Sequence, residues 1–413
     1  MIKILHFADA HIDIANHGRQ DPQTGLALRA LDFLKALDTI IDTAIQRKVD
    51  LVIFAGDAYR DRTPVPTFQR EWGRRILRLS HAGIPTLLLV GNHDLSPALG
   101  RAHALQEFDT LEIPHVHVLD KPALYKPADL EGLPLQVIAL PWLSRSRMMA
   151  SMEMDGTKRD ELFGQLGSLL MQLMVNWLNK EVDPALPVIL AAHASVEGAM
   201  YGAERSVMLG GDLVLPPALV KDPRLDYVAL GHIHKSQDLN PGARPPVIYP
   251  GSIERVDFGE AAEDKFCVLV TLDEQKRDRA QVEWIKLDGR RFIDRQVRVT
   301  NGVDVMEKVL GVLPPSEELA ECIVRLTIDY PRELESMLDE TLLRQYTAPA
   351  FEFHLVRRPQ MDARLRISDD MNIASLSPLE LLDLYWHAAG IEENLPDLNR
   401  LAGEIIGGGQ TEE

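Results

Sequence analysis

Short runs of large apolar residues recur along this chain, and five of them break off into clusters of Asp, His, Asn and Gly. The runs are Ile2 to Phe7, Leu51 to Ala55, Leu87 to Val90, Val188 to Ala192 and Tyr227 to Leu230. Their length suits strands buried on both faces, because a helix usually needs ten or more residues. Between several of them the apolar spacing lengthens to that of a helix. From Gly25 to Arg47 the residues Leu28, Leu31, Leu34 and Leu37 recur at threes, and Ile40, Ile41 and Ala44 continue the stripe. The same reading predicts helices over Thr67 to Ser80 and from about Asp160 to Lys180. Strands alternating with helices predict α/β units, whose chemistry collects beyond the carboxyl ends of the strands.

All five clusters stand at that position. They are Asp9-Ala10-His11, Gly56-Asp57, Gly91-Asn92-His93-Asp94, His193 with Ala194 and Ser195, and Gly231-His232-Ile233-His234. Glycines 56, 91 and 231 come where a chain leaving a strand must turn without a Cβ clash. Carboxylate, imidazole and amide oxygen form a mixed N/O ligand set without thiolate, suited to divalent manganese, iron or zinc. Two ions about 3.5 to 4 Å apart need a bridging ligand. Asp57, alone on its loop, is the natural bridge; Asp9, His11 and His234 would complete one site, and Asn92, His193 and His232 the other. Metal-assisted phosphoester hydrolysis is the chemistry implied.

The order D-x-H, G-D, G-N-H-D, H, G-H-x-H resembles the calcineurin-like metallophosphoesterases, and within them the SbcD-like nucleases. The matching stretches include His6 to His11, Ala55 to Tyr59, Val90 to Asp94 and Gly231 to His234, followed by Pro250 to Arg255. The motifs are specific in combination, though each is weak alone. The resemblance implies a four-layer αββα sandwich and a nuclease acting on double-stranded DNA ends and hairpins. It also implies two ions, Mn²⁺ foremost, an SbcC-like SMC-family ATPase partner, and a homodimer within a heterotetramer. It gives His93 a catalytic task, proton donation or transition-state stabilisation at the leaving oxygen, with Asp94 orienting its ring. A helix N-cap is the competing role for Asp94. Two departures stand out: Asp13 where many relatives carry Gly, and Tyr59-Arg60-Asp61 where some place a His.

At 413 residues the chain exceeds one ordinary core. A catalytic domain is expected over residues 1–285, a smaller α/β cap over 286–370 and a helical partner-docking segment with a tail over 371–413. In the cap, strands are expected near Arg295 to Asn301, Glu321 to Tyr330 and Phe351 to Arg357, with helices near Val303 to Val312 and Arg332 to Gln345. Ser377-Pro378-Leu379-Glu380 reads as a helix start, Gly390 as its stop, and Asn394 to Ile406 as the second helix of a hairpin. Gly407 to Glu413 reads as a disordered tail.

Cys267 and Cys322 lie in strand-like runs and read as small buried hydrophobes in a reducing compartment. No apolar stretch is long enough to span a membrane, and Met1-Ile2-Lys3 leads straight into a strand, so the expected location is cytoplasmic. A net charge of -18 runs against nucleic-acid binding by the chain alone. Basic groups gather in Arg70 to Arg78 and Lys286 to Arg298, where a solvated charged face is the plainer reading. His81, His103, His115, His117 and His387 are assigned no role. The rival functions are a phosphoesterase of the same fold acting on a small nucleotide, phosphoprotein or phospholipid, and a non-enzymatic adaptor tethering DNA.

Overall fold

The computed structural model describes residues 1–15, 19–96, 101–143, 159–202, 214–273, 280–360, 377–388 and 395–408. It divides into two compact units, Met1–Ile293 with Glu321–Ile323, and Asp294–Ala320 with Val324–Glu413.

The larger unit is built on two six-stranded sheets. In chain order the strands are β1 (Ile2–Phe7), β2 (Leu51–Phe54), β3 (Thr86–Leu89), β4 (Val116–Leu119), β5 (Ala123–Tyr125) and β6 (Gln136–Leu140). They continue with β7 (Val188–His193), β8 (Ser195–Val196), β9 (Val214–Leu215), β10 (Tyr227–Gly231), β11 (Gln237–Asp238) and β12 (Val247–Tyr249). The last two are β13 (Lys265–Leu272) and β14 (Gln281–Leu287). The first sheet runs β14-β13-β1-β2-β3-β4 and the second β11-β12-β10-β7-β6-β5, while β8 and β9 pair separately. Strands β1 to β4 are mutually parallel, as are β6, β7, β10 and β12, so their carboxyl ends share one edge of each sheet.

Alternation of side chains along each strand makes the layers. Ile2 and Ile4 of β1 and Leu51 and Ile53 of β2 pack with Ile189 and Ala191 of β7 and Tyr227 and Ala229 of β10 in one core between the sheets. Their neighbours Leu5, Phe7, Val52 and Phe54 face outward under the helices α1 (Leu28–Arg47) and α2 (Pro66–His81). On the other side Leu190, Ala192, Val228 and Leu230 pack with Leu170, Met174 and Trp177 of the 159–181 helical segment. The result is the expected αββα sandwich, and both faces of the central strands are apolar because both are covered. One polar pair crosses the inner core: His6 Nδ1 lies 2.9 Å from the Tyr227 hydroxyl, with both side chains buried.

The smaller unit holds most of a three-stranded sheet, β15 (Phe292–Arg298), β16 (Ile323–Pro331) and β17 (Glu352–Gln360), in that order. The single helix expected over Arg332 to Gln345 is in fact two. A 3-10 turn over Arg332–Met337 stops, and Asp339 starts a new helix, Glu340–Tyr346, by accepting from the Leu342 N–H at 2.9 Å. Farther on, the helix Pro378–Ala388 begins with a reciprocal capping box: Ser377 N–H donates to Glu380 Oε2 at 2.7 Å and Glu380 N–H to Ser377 Oγ at 3.4 Å. The second helix spans Leu395–Gly408 and so includes Gly407, expected in the tail. Gly390 and residues 409–413 lie outside the described residues. No described helix is long and apolar enough to cross a membrane. Cys267 and Cys322 are buried and form no disulfide, and burial pushes the Cys267 thiol up to about 12.

Candidate metal centre

All seven expected ligands converge at the shared edge of the two sheets. Asp9, His11, Asp57 and Asn92 arrive on loops after β1, β2 and β3, whereas His193 ends β7 and His232 and His234 follow β10. His193 and Gly231 belong to the strands themselves, one residue beyond the predicted strand ends. Two groups of donor atoms lie within 4.8 Å of one another, Asp9 with His11 and His234, and Asp9 with Asp57 and His193. Asp57 Oδ2 stands between the halves, 3.4 Å from His193 Nε2 and 3.9 Å from His11 Nε2. Asn92 Oδ1 closes the second half at 2.9 Å from His193 Nε2 and 3.0 Å from His232 Nδ1.

The backbone is bent to bring them there. Asp9 (φ 49°), His11 (φ 40°), Asp57 (φ 64°) and His232 (φ 98°) all occupy left-handed space, at a cost of about 1–3 kcal/mol each. The loops brace one another: Asp9 N–H donates to Gly56 O at 2.9 Å, Ala10 N–H to Asp57 O at 2.8 Å, and His232 N–H to Asp9 Oδ1 at 3.0 Å. Glycine is required at position 91, where an added Cβ would stand 2.2 Å from Asp57 Oδ1.

The donor set fits divalent ions. His11 Nε2 and His234 Nε2 approach to 3.2 Å, close to the roughly 3.0–3.4 Å expected for two donors about 2.1 Å from one ion. Electrostatics point the same way. Burial opposes ionisation of Asp57, yet His193, His93 and His11 outweigh it and hold its carboxyl far below the usual range. Burial should likewise lower the His193 pKa, but Asp57 and then Asp9 push it up to about 9. Burial raises Asp9 to about 6. The cluster is thus an anionic pocket that draws positive charge, whether protons or metal.

His93 sits beside this cluster, its ring 5.2 Å from that of His11 and nearly perpendicular to it. Its expected contact with Asp94 does not exist. Asp94 is buried and accepts three backbone N–H groups, from Asp57 and Gly91 on Oδ2 and Ala58 on Oδ1, each at 2.9 Å. It neither orients the His93 ring nor caps a described helix; it ties the second and third loops together. The His93 ring is held instead by Arg60, whose carbonyl accepts from Nδ1 at 2.6 Å.

Three contributors were not foreseen. Glu260 Oε1 lies 2.9 Å from His234 Nδ1, the carboxylate-to-imidazole contact that commonly fixes a metal-binding histidine. Behind it, the fully buried Lys265 ammonium contacts Glu260 Oε2 at 2.7 Å and Glu263 Oε2 at 3.1 Å. Burial opposes Glu260 ionisation, but His234 and Lys265 keep it well below the usual range. Trp142 covers the other half, its ring 4.9 Å from His232 and 6.1 Å from His193.

The basic run on α2 faces its own acids. Arg75 and Arg78 pair with Asp38, Arg78 also with Asp42, and Arg70 and Arg74 with Glu71. Farther along, Lys286 pairs with Asp264, and Arg290 with Asp32 and Glu321. The first run is thus largely neutralised by nearby acids, and of the second run Lys286 and Arg290 are.

Comparison with known proteins agrees with the site. Residues 2–236 match the model of the calcineurin-like phosphoesterase family. The chain is 26% identical over 287 residues to the SbcD polypeptide of the SbcCD nuclease of Escherichia coli K12, covering 68% of this chain and 67% of that one. To the SbcD polypeptide of Rhodobacter capsulatus it is 29% identical over 286 residues, 66% of each chain. To the DNA double-strand break repair protein Mre11 of Archaeoglobus fulgidus it is 24% identical over 338 residues, 79% of this chain and 68% of that one.

Proposed function

The chain belongs to the calcineurin-like phosphoesterase family, a family of metal-dependent hydrolases, and within it we propose that this protein is a two-metal DNA nuclease. The observation that carries this reading is the position of Asp57 between two imidazole-rich ligand groups, with the His93 ring alongside. Asp9, His11 and His234 would hold one divalent ion and Asn92, His193 and His232 the other, with the Asp57 carboxylate within reach of both groups. Such ions, manganese foremost, would supply Lewis-acid polarisation of the phosphoryl oxygens and lower the pKa of the attacking water.

The chain's own residues do the rest. Glu260 fixes the His234 ring, and Asp94 fixes the loop from which Asp57 projects. Since the Arg60 carbonyl accepts only, His93 Nδ1 carries a proton and Nε2 is left for substrate. As the phosphorus–oxygen bond to the leaving group breaks, its electron pair stays on the leaving oxygen; His93, entering the step as the imidazolium with a proton on each nitrogen, gives that oxygen the Nε2 proton, is left neutral with Nδ1–H on the Arg60 carbonyl, and regains a proton from solvent. The attacking water bonds to phosphorus and loses a proton to solvent.

Double-stranded DNA ends are the proposed substrate, and an SMC-like ATPase the proposed partner, because the curated relatives bear SbcCD and Mre11 names. The acid-paired basic run on α2 and the net charge of -18 support a DNA surface completed by that partner. The helices after Ser377 are the proposed docking element for the ATPase.

The test is cleavage of an end-labelled linear duplex by the purified chain with Mn²⁺, beside a chelator control and Asp57→Asn. Metal-dependent cutting lost in the variant is expected. Hydrolysis of generic phosphodiesters without any cutting of DNA, even with the ATPase added, would return the protein to the small-substrate reading.

A further inference from the structure

One peptide group joins Asp13 to His93. The Asp13 carboxylate accepts the Arg60 N–H on Oδ1 at 2.5 Å and the Asp61 N–H on Oδ2 at 2.9 Å. The carbonyl of the same Arg60 accepts His93 Nδ1 at 2.6 Å. Before it the chain is tied down at the buried Tyr59, whose carbonyl lies 3.2 Å from His11 Nδ1, whereas the N–H groups of Arg60 and Asp61 both go to Asp13. Arg60 and Asp61 are exposed, and with Asp13, Ile14, Val65 and Phe68 they line an open depression of about 500 Å³. A solvent-facing loop of this kind samples several backbone orientations unless side chains hold it. Two N–H groups on one carboxylate are charge-assisted bonds, roughly twice as strong as neutral ones.

We propose that Asp13 is a positioning residue for the His93 imidazole, acting through the Arg60 peptide, and that it sets how well His93 protonates a poor leaving group. The proposal rests on His93 acting as proton donor. Asp94, expected in that role, is spent on Asp57, Ala58 and Gly91, so the ring depends on a carbonyl, and the carbonyl depends on Asp13. Asp13 and the Arg60-Asp61 pair are also the two places where the chain departs from the pattern it resembles, and here they are bonded to each other.

The experiment uses the full chain with Mn²⁺ and two substrates that differ in the leaving group alone, thymidine 5′-(p-nitrophenyl phosphate) and thymidine 5′-(phenyl phosphate). Nitrophenolate departs with little help; phenolate needs the proton more. Asp13→Ala is expected to lower kcat for the phenyl ester by about 10-fold or more and for the nitrophenyl ester by less than about 3-fold. KM and Mn²⁺ affinity should stay within about 2-fold of wild type, and Asp13→Asn, which keeps one acceptor oxygen, should recover part of the phenyl-ester rate. Equal losses on both esters, weakened Mn²⁺ binding, or no loss at all would each overturn the proposal. Should Asp13→Ala fail to fold, the isosteric Asp13→Asn decides by the same ratio of the two rates. His93→Ala is run in parallel: if it too lowers both rates alike, the assignment of His93 as donor has failed, and the proposal with it. If His93→Ala shows the leaving-group difference and neither Asp13 variant does, the proposal alone has failed.

Discussion

The Asp94 carboxylate holds the backbone N–H of Asp57 at 2.9 Å, so one acidic side chain fixes the backbone of another whose own carboxylate faces the metal ligands. Burial first, and then the charge of Asp57, raise the Asp94 pKa to about 7, against three N–H bonds that lower it. Asp94→Asn replaces an acceptor oxygen with a donor and leaves at least one buried N–H unpaired. The expected loss is about 1–3 kcal/mol of stability, read from urea midpoints, with weaker Mn²⁺ binding. An unchanged midpoint would remove Asp94 from its bracing role.

Metal binding should release protons. With His193 pushed up to about 9 by Asp57, the metal-free site is protonated there at neutral pH, and a ligand nitrogen must lose that proton to bind an ion. Apparent Mn²⁺ affinity therefore rises with pH between about 6 and 9, by up to a decade per unit for one proton displaced. Calorimetry in buffers of different ionisation enthalpy checks this; binding heats that do not vary with buffer would count against it.

Glu260→Gln should weaken Mn²⁺ binding by about 10–100-fold, because His234 loses the carboxylate that orients it. The variant should also be less stable by about 3–5 kcal/mol, as the buried Lys265 keeps Glu263 alone for charge compensation. A metal titration and a thermal melt on the same variant separate the two effects.

His6 should make the fold sensitive to acid. Burial lowers its pKa to about 3, whereas in the unfolded chain it lies near the usual 6.5. Between these values the unfolded state binds the extra proton, so stability is full above about pH 6.5 and falls as pH drops toward 3. The contribution approaches 1.36 kcal/mol per pH unit, to be taken as roughly that for a single group. Urea midpoints between pH 6 and 4 should fall less steeply in His6→Gln; parallel slopes would show that His6 contributes nothing.

How much was legible in the residues follows from where each signal resides. Strands buried on both faces announce themselves as unbroken apolar runs, and a ligand cluster at the end of a run is local in sequence, so Asp9, Asp57, Asn92 and His232 could be found one loop at a time. Contacts between loops carry no such mark. Nothing near His93 says that its ring turns toward Arg60, 33 residues away, and nothing near Asp94 says that it faces Asp57. Glu260 stands 26 residues from His234 with no pattern linking them. The stretch Pro250 to Arg255 was part of the resemblance but suggested no role; its Ser252 N–H donates to the His234 carbonyl at 3.1 Å. Helix ends failed for a similar reason: the break before Asp339 needs only one cap, which an apolar count over Arg332 to Gln345 does not register.

The pairing of β1 with β13 has a consequence for synthesis. The strand that delivers Asp9 is flanked by β2 on one side and by Lys265–Leu272 on the other. A ribosome-bound chain therefore exposes one edge of its first strand until some 270 residues have been made, and the last ligands, His232 and His234, emerge only shortly before. A nascent or truncated chain ending before β13 thus has an open strand edge for other chains to join, and one ending before Glu260 also leaves the His234 ring without its carboxylate. The catalytic centre is in this sense a late checkpoint of folding, reached when the two ends of the larger unit have met.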